Sequence, residues 1–572
     1  LIRGGNVDYI ILDYLAEVTM SFLARSMAKR PHMGYAPYFV NVIMANSIQD
    51  IAEKGIKIVT NAGGINPHAC RDAVLKLAEQ HNVNLKVAVV DGDDLLPRHD
   101  ELAAQAIKEM TTGESWPDNM MSMNAYLGAR PIADALDMGA DVVITGRVVD
   151  SALTLGPLMH EFNWQETDYD LLAAGSLAGH IIECGAQATG GLHTDWEDVP
   201  DWANIGYPVI ECYPDGRFVV MKPENTGGLV TPATVGEQLL YEIGDPQAYF
   251  LPDVVCDFSQ VNIKQIAKNE VEVTGVIGQP PTATYKVYGA YQDGYRCIAI
   301  SPVIGMNAVQ KAERQAEAMI QRTETIFAER NLGAYRDTLV ECMGAESAYG
   351  PHSRSRDTRE VACKISLEHE NPEALQIFSN EVYAPTTSMS PGTTGWFAGK
   401  PSVDPVVKLF SFLIPKNEVA YTATLDDNSQ TSSQDPTVVF DPSSIVRPQV
   451  EDAKPDGEET KTVSLIQLAW GRSGDKGNTC NIGIMARKPE YLPYIRAALT
   501  ESAVFTFMNH IFHGAKNPRV ERFDLPGLNA LNFLLHESLG GGQMASLRMD
   551  PLAKGMAQQL LEFPVEIPVD LV

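Results

Sequence analysis

Short apolar runs alternate with segments of helical period in the first part of the chain. The runs are rich in Val and Ile and predict buried strands at 9–13, 57–60, 85–90 and 142–145. The intervening pattern predicts helices at 16–29, 46–54, 69–81, 101–110, 131–138 and 171–182. Alternation of this kind predicts a mostly parallel sheet covered on both faces, the doubly wound α/β class. Such sheets bind ligands outside the carboxyl ends of their strands, so the loops there carry the candidate chemistry.

The pattern changes twice further along the chain. From about residue 205 it consists of closely spaced strands separated by turns, which predicts antiparallel β structure. Residues 425–462 are rich in Asp, Glu, Ser and Pro and predict a flexible acidic linker. Strands predicted at 463–469 and 481–486 and a helix at 489–507 indicate a small C-terminal α+β domain. The predicted organisation is a main domain at 1–424 (an α/β part at 1–204 and a β-rich part at 205–424), a linker at 425–462 and a C-terminal domain at 463–572.

Composition narrows the class of protein. The 572 residues are 45% hydrophobic and 20% charged, which is typical of a folded globular chain. A formal charge of −29 argues against nucleic acid and against an anionic membrane surface as partners. The eight cysteines form no CxxC pair, so free thiols in a reducing compartment are expected. We expect a cytoplasmic location, with the mitochondrial matrix as the alternative because the sequence begins at Leu1 rather than at Met.

The common catalytic motifs GxSxG, HExxH, Walker A and GxGxxG do not occur, so the strand-end loops are the candidates. The loop at 60–67 has two glycines that permit close approach to a ligand. A plain βα turn with Asn66 as the helix cap explains the same letters, and both interpretations stay open. The substrate-binding candidates of this loop are Asn61, Gly63, Gly64 and Asn66.

Two further loops contain charged side chains. Asp91, Asp93 and Asp94 follow one predicted strand and predict either a Mg²⁺ site or, at Asp91, a general base; an acidic turn is the alternative. The loop after the strand at 142–145 carries Gly146, Arg147 and Asp150. A planar guanidinium there favours an anion-binding site over a plain ion pair.

The loop at 183–193 concentrates chemically active side chains. Glu183 and His193 are candidates for general acid–base catalysis, and Gln187, Gly190 and Gly191 are candidates for substrate binding. Cys184 is less suited to nucleophilic catalysis, because no neighbouring cation in the sequence would lower its pKa.

Two other segments look suited to contact rather than to packing. The segment at 222–228 contributes Glu224 and Asn225 as substrate-binding candidates. The segment at 472–481 is either an anion-binding nest, an interface hook or a flexible charged hairpin. Its candidates are Arg472, Asp475, Lys476 and Asn478.

With these residues in view, the chain resembles the acyclic terpene utilisation (AtuA-like) family. The matching phrases include DYLAEVTM (13–20), TNAGGINP (60–67), DVVITGRVVDSALTLGPL (141–158), ECGAQATGG (183–191) and RSGDKGNTCNIG (472–483). The resemblance implies an α/β main domain and a ferredoxin-like C-terminal domain. It also implies a part in the breakdown of acyclic terpenoids and branched acids through CoA thioesters, with a lyase or hydratase step.

The leading hypothesis is therefore an enzyme of branched acyl-CoA catabolism, of lyase or hydro-lyase type. Arg147 would clamp the anionic acyl substrate, and Glu183, with His193 or Asp91 as alternates, would move the proton. A homo-oligomer is expected from the general habit of large α/β enzymes. The alternatives are a non-catalytic subunit that binds an acyl-CoA and docks through 472–481, and a metal-dependent hydrolase using Asp91, Asp93 and Asp94. The sequence identifies no cofactor with certainty; the candidates are a CoA thioester as substrate and, in the last case, Mg²⁺.

Overall fold

The structure, a computed structural model, describes residues 1–397, 399–454 and 459–572. The strands are β1 Tyr9–Leu12, β2 Lys57–Thr60, β3 Val87–Asp91, β4 Met120–Ala125, β5 Val142–Thr145, β6 Val209–Cys212, β7 Phe218–Met221, β8 Tyr249–Phe250, β9 Val255–Asp257, β10 Asn262–Ala267, β11 Glu270–Thr274, β12 Ile277–Gln279, β13 Thr284–Ile304, β14 Asp337–Met343, β15 Glu360–His369, β16 Val403–Pro415, β17 Ala420–Leu425, β18 Asn428–Ser433, β19 Thr460–Ser464, β20 Ala469–Lys476, β21 Thr479–Ala486, β22 Arg519–Leu525, β23 Ala530–His536 and β24 Pro564–Pro568. The α-helices are α1 Glu17–Lys29, α2 Ala45–Lys54, α3 Pro67–Gln80, α4 His99–Ala103, α5 Arg130–Asp137, α6 Ala152–Phe162, α7 Tyr169–Ile182, α8 Pro232–Leu240, α9 Ala308–Arg330, α10 Pro372–Glu381, α11 Pro385–Ser388, α12 Leu492–Ala498, α13 Glu501–Phe507 and α14 Met556–Leu560.

The main sheet has the order β1-β2-β5-β3-β17-β18. The first four strands are mutually parallel, and β17 and β18 are added antiparallel at one edge. Successive residues of β2 face opposite sides, because Ile58 joins a core with α2 and α3 while Val59 joins a core with α5 and α6. The sheet is therefore covered on both faces, and the predicted doubly wound α/β class is confirmed.

The β-rich part is built around β13, a strand of 21 residues. β13 pairs antiparallel with β15 and β16, and its first half also pairs with β4. Because β4 belongs to the α/β part, this pairing joins the two parts of the main domain. Two smaller antiparallel sheets, β10-β11-β7-β6 and β12-β9-β8, complete the part.

The C-terminal domain contains the antiparallel sheet β20-β21-β23-β22 and the pair β19-β24 around its own apolar core. The hairpin β20–β21 contacts α8 of the main domain. Glycines make that approach possible, since a Cβ added at Gly483 would lie 2.4 Å from the Leu240 side chain and one at Gly474 would lie 2.5 Å from that of Glu242.

Four predictions of local structure were wrong. The segment predicted as a linker contains β18, which pairs with β17 in the main sheet; residues 455–458 of that segment lie outside the described residues. The helix predicted at 101–110 ends at Ala103, and Ala106 has a positive φ of 52°. The helix predicted at 489–507 is divided into α12 and α13, with Thr500 capping the second. The strand predicted at 463–469 is the end of β19 followed by a 3₁₀ turn at Leu465–Gln467.

Candidate active site

Three carboxyl groups from separate segments converge near the carboxyl end of the main sheet. Asp13 follows β1, Asp150 follows β5 and Glu183 follows α7. One oxygen from each lies within 4.8 Å of the others, and together we call them the carboxylate triad. Asp13 is exposed and the other two are half-buried, so solvent reaches the triad, and we call the accessible space around it the cleft.

Crowding changes the acidity of the triad. Burial and the neighbouring charge of Asp13 raise the pKa of Asp150 to about 7. Burial and the charge of Asp150 raise the pKa of Glu183 to about 8. Near neutral pH the triad therefore retains a proton, which a general acid–base site requires.

Asn61 holds Asp13 in place. Its Nδ2 donates to Asp13 Oδ1 over 2.6 Å, and its own Oδ1 accepts from the backbone N–H of Tyr14 over 2.7 Å. The side chain is fully buried at the end of β2, so the loop at 60–67 supplies one residue that supports the triad.

Arg147 is tied within the protein rather than open to a ligand. Its side chain is buried, and Nη1 donates to the Leu15 carbonyl at 2.6 Å and to Asp150 Oδ1 at 3.2 Å. The guanidinium also lies 4.5 Å from the centre of the Tyr126 ring. The structure therefore gives Arg147 the role of orienting Asp150 instead of that of the expected open anion clamp.

Glu17, Tyr126 and Lys286 form a second group beside Arg147. The Tyr126 hydroxyl donates to Glu17 Oε1, and the Lys286 amine lies 5.6 Å from the centre of the Tyr126 ring. Burial acts to raise the pKa of Glu17, but Arg147, Lys286 and the Tyr126 hydroxyl lower it to about 2. These three residues were not among the candidates predicted from the sequence, although Glu17 lies within the family phrase DYLAEVTM.

The C-terminal domain contributes positive charge to the same cleft. Lys476, 53% exposed, lies 3.4 Å from Glu242, and Lys554 lies 3.6 Å from the same carboxylate. Burial opposes the charge of Lys476, but Glu242, Tyr249 and Asp150 outweigh it and raise its pKa. Burial and Glu242 also raise the pKa of Asp475 to about 7. Two of the predicted C-terminal candidates, Asp475 and Lys476, thus face the cleft.

Four other predicted site residues form an interdomain anchor instead: Gln187, Gly191, His193 and Arg472. Its centre is Glu237, fully buried, which accepts from His193 Nδ1 at 2.7 Å and from Arg472 Nη2 at 3.2 Å. Arg472 also donates to Gln187 Oε1 and, over 3.1 Å, to the Gly191 carbonyl. His193 and Arg472 are themselves buried in this contact, so their predicted roles in catalysis and substrate binding give way to a structural one.

The three aspartates predicted to bind a metal diverge. Asp91 lies 2.7 Å from His68 Nε2, and Asp94 accepts from the Leu96 backbone at 3.0 Å. Asp93 accepts from Asn124 and from the Arg147 backbone, each at 2.8 Å. Among the described residues, the group whose oxygens come close enough to hold an ion is the carboxylate triad, so Asp91, Asp93 and Asp94 do not form the single ion site that was predicted for them.

Close packing leaves no room for a side chain at Gly146. A Cβ at that position would lie 2.1 Å from Asp93 Oδ1. A Cβ at Gly63 would lie 2.5 Å from the Thr145 carbonyl oxygen, so the two loops can pass each other only without side chains there. Gly64 and Gly190 have positive φ values of 55° and 102°. These predicted ligand-binding glycines serve the packing and the turns of the loops.

Three predicted asparagines and Glu224 lie in turns or caps. Asn66 caps α3 by accepting from the Ala69 backbone at 3.3 Å, as the interpretation of the loop at 60–67 as a βα turn predicts. Asn478 accepts from the Gly541 backbone at 3.0 Å. Glu224 and Asn225 lie on an exposed turn, and Asn225 has a positive φ of 58°.

Cys184 borders the triad as a protonated thiol. Its Sγ donates to Glu183 Oε1 over 2.7 Å. Burial and the charge of Glu183 raise the pKa of this thiol, which disfavours a thiolate nucleophile. All eight cysteines of the chain are free.

A cavity of about 440 Å³, lined mostly by apolar side chains, lies between the C-terminal half of α1 and the start of β4. Helix α1, which lines the cavity, begins at Glu17. Strand β4, which also lines it, leads directly to Tyr126. Its lining residues are Ala24, Met27, Ala28, Pro31, Ile65, Asp94, Leu96, Met121 and Ser122. A cavity of this size and composition suits the hydrocarbon part of a small ligand.

Fold and cleft together define a two-domain α/β protein whose small antiparallel domain completes a charged site on the main domain. Residues 1–425 match the family described as acyclic terpene utilisation family protein AtuA, and residues 463–566 match the AtuA ferredoxin-like domain. The chain belongs to this family, which implies a role in acyclic terpene utilisation. No curated protein and no solved structure matches the chain. In the described part of the chain, none of the helices has the length and apolar character needed to cross a membrane.

Proposed function

We propose that the protein is a lyase or hydratase that acts on a branched acyl-CoA in acyclic terpenoid breakdown. The observation that carries this proposal is the carboxylate triad, in which two groups with pKa values of about 7 and about 8 lie together in an accessible cleft. A pair of carboxyl groups with different protonation states can supply both the acid and the base of an elimination or addition of water.

In this mechanism Asp150, held by Arg147, removes a proton from the carbon next to the thioester carbonyl. Glu183, protonated at neutral pH, gives a proton to the leaving hydroxyl group, and water departs as the double bond forms. Negative charge that develops on the thioester oxygen is stabilised by the cations of the cleft, of which Lys476 and Lys286 are exposed. The apolar cavity beside α1 would hold the hydrocarbon chain.

Replacement of Glu183 tests the proposal. Glu183→Gln keeps the size of the side chain and removes the titratable proton, so turnover should fall by about 10²–10⁴-fold. The measurement is the change in double-bond absorbance and in mass for a panel of branched enoyl-CoA and 3-hydroxyacyl-CoA thioesters. Glu329→Gln, on an exposed position of α9, is the matched control and should keep full turnover. Equal turnover in the two variants would refute the role of the triad. Binding without turnover in the unaltered protein would favour a non-catalytic subunit instead.

A metal-dependent hydrolase is the second candidate, because the same triad could hold a divalent cation. Titration calorimetry with Mg²⁺ and with Zn²⁺ separates the two. Stoichiometric binding that is lost in Glu183→Gln, together with thioester hydrolysis, would support the hydrolase.

A further inference from the structure

Two cysteines face each other in the largest sheet of the β-rich part. Cys342 lies on β14 and Cys363 on β15, and the two are direct partners in the antiparallel ladder. Strand β14 is at the edge of the sheet β14-β15-β13-β16. Both side chains are free thiols that belong to the apolar core beneath α9, where Cys363 Sγ lies 3.8 Å from the Ala312 carbonyl oxygen.

The hydrogen bonds of the sheet determine how close this pair is. The Gly305 N–H donates to the Arg359 carbonyl over 2.8 Å, so these two residues form a hydrogen-bonded pair between β13 and β15. Such pairs recur at every second residue, and Ser301 and Cys363 are therefore another. The N–H and C=O groups of Cys363 point towards β13, so its pairing with Cys342 on the other side is of the non-hydrogen-bonded type.

This type of pair has the spacing that a disulfide needs. In a non-hydrogen-bonded pair the Cα atoms lie about 4.5 Å apart, and the side chains are closer than in a hydrogen-bonded pair. Disulfides join residues whose Cα atoms are about 4.4–6.8 Å apart. The two sulfurs can therefore be joined without separating the strands and without breaking a hydrogen bond of the ladder.

The two thiols differ in reactivity. A hydrogen bond with Cys363 and the charge of Arg356 lower the pKa of Cys342, although burial and Glu313 act to raise it. The same hydrogen bond and burial raise the pKa of Cys363. Because the thiolate is the nucleophile, Cys342 is the thiol that attacks an oxidant first. Cys342 is 4% exposed, and local opening of its edge strand admits a small oxidant.

We propose that Cys342 and Cys363 form a reversible oxidation site, in which a peroxide converts the two thiols into a cross-strand disulfide. The Cys342 sulfur attacks one peroxide oxygen as the O–O bond breaks, and the departing hydroxide takes the thiol proton, which leaves a sulfenic acid and water. The Cys363 sulfur then attacks the sulfenic sulfur; the S–O bond breaks, and hydroxide leaves as water with the Cys363 proton. One hydrogen peroxide is reduced to two waters while two thiols are oxidised to one disulfide, which a thiol reductant opens again.

The next pair of the same ladder holds the C-terminal domain. Lys364 and Glu341 are partners across β15 and β14, and their side chains lie 2.7 Å apart. The Lys364 amine also donates to the Leu547 carbonyl over 2.5 Å, and the Met549 N–H donates to Glu341 Oε1 over 3.0 Å. The disulfide fixes the edge strand beside this contact, so oxidation clamps β14 where the second domain is docked.

Peptide mass mapping tests the inference on the full-length protein. The reduced protein is treated with a few equivalents of hydrogen peroxide, its remaining thiols are blocked with iodoacetamide in denaturant, and it is digested without reductant. We expect two peptides joined through Cys342 and Cys363, with the loss of two hydrogens, which dithiothreitol separates. In the oxidised protein, amides of β14 should exchange with solvent at least about tenfold more slowly, because the bond prevents local opening of the edge strand.

Cys297 is the matched control. It is 1% exposed in the same apolar core, but its partner on β15 is Leu367, so it should be recovered as a thiol at the dose that joins the pair. Cys363→Ser should leave Cys342 as a sulfenic acid, which dimedone labels, instead of as a disulfide.

Two outcomes in the unaltered protein would overturn the oxidation site, whether or not Cys363→Ser folds. One is recovery of Cys342 and Cys363 as free thiols to the same extent as Cys297, and the other is a bond from Cys342 to a different cysteine. Equal exchange of the β14 amides in the two states would overturn the clamping of the strand. These readouts do not use turnover, so they are independent of the function proposed for the carboxylate triad.

Discussion

The interdomain anchor and the carboxylate triad contain residues that are neighbours in the chain, but their charges are arranged differently. The carboxylate of the anchor lies among hydrogen-bond donors, whereas the carboxyl groups of the triad lie close to one another. Both use the loop that follows α7, and both are completed by β20, with Arg472 in the anchor and Lys476 facing the triad. In the anchor, the fully buried Glu237 accepts hydrogen bonds from His193, Thr194 and Arg472. In the triad, like charges lie within 4.8 Å of one another and pKa values are raised.

The difference shows how a structural cluster of charges can be told from a chemically active one. A buried ion is tolerated when its partners compensate it fully, and such a cluster has little reason to exchange protons with a ligand. Carboxyl groups held close together with only partial compensation, such as that of Asp150 by Arg147, are poised to take up a proton or a cation, and they are costly to the fold. Composition does not separate the two cases, because both contain acidic and basic residues around small ones.

Breaking the anchor should have the largest effect on stability. Arg472→Met leaves Glu237 buried without its cation, and removal of one partner of a buried pair costs about 3–5 kcal/mol. We expect that loss in the free energy of unfolding, measured by urea denaturation of the full chain. A change below about 1 kcal/mol would mean that Glu237 is compensated by His193 and Thr194 alone, and full compensation by Arg472 would then not distinguish the anchor from the triad.

The carboxylate triad should make the stability of the folded protein depend on pH. The folded pKa values of about 7 for Asp150 and about 8 for Glu183 lie above the unfolded values of about 4. A raised folded pKa contributes stability that is present below the unfolded pKa and is lost as pH rises through the folded pKa. The midpoint of thermal unfolding should therefore fall as the pH rises from 5 to 8.

The double variant Asp150→Asn, Glu183→Gln sharpens this prediction. It removes both titrating groups, so the fall between pH 5 and 8 should become shallower, and the variant should be more stable than the unaltered protein at pH 8. Arg472→Met should lower the midpoint at every pH and leave the slope in place. An unchanged slope in the double variant would assign the pH dependence to other groups, such as Asp93 or Asp475, whose pKa values are also raised to about 7.

The sequence predicts the parallel core well because its signal is local. Runs such as KIVT and VVIT are short, apolar and flanked by helices, and the loops after them lead to Asn61 and Asp150. Asp13 could have been found by the same rule, since it ends the first apolar run. Lys286 and Glu242 could not, because they reach the cleft through antiparallel pairing of β13 and through docking of a second domain, which depend on residues far away in sequence. The residues of the interdomain anchor were predicted to be site residues for a related reason. A loop with an acid, an amide and a histidine has the same sequence whether it faces a cleft or another domain.

A second, more exposed ion pair across the domain interface should matter least. Arg487 donates to both oxygens of Asp195, over 2.6 and 2.7 Å, and lies 5.0 Å from the centre of the Trp470 ring. The two side chains are 23% and 29% exposed, so solvent compensates for much of a lost partner. Arg487→Met should therefore cost about 1 kcal/mol or less in the free energy of unfolding at pH 7.

Hydrogen bonds from Arg487 lower the pKa of Asp195, so this contribution is present at neutral pH and is lost as the pH falls through the folded value. Urea denaturation at pH 7 and at pH 3 should show the difference between Arg487→Met and the unaltered protein shrinking at the lower pH, opposite in direction to the triad. A loss as large as that of Arg472→Met would show that exposure does not distinguish the two contacts, and the anchor would then extend across the whole interface.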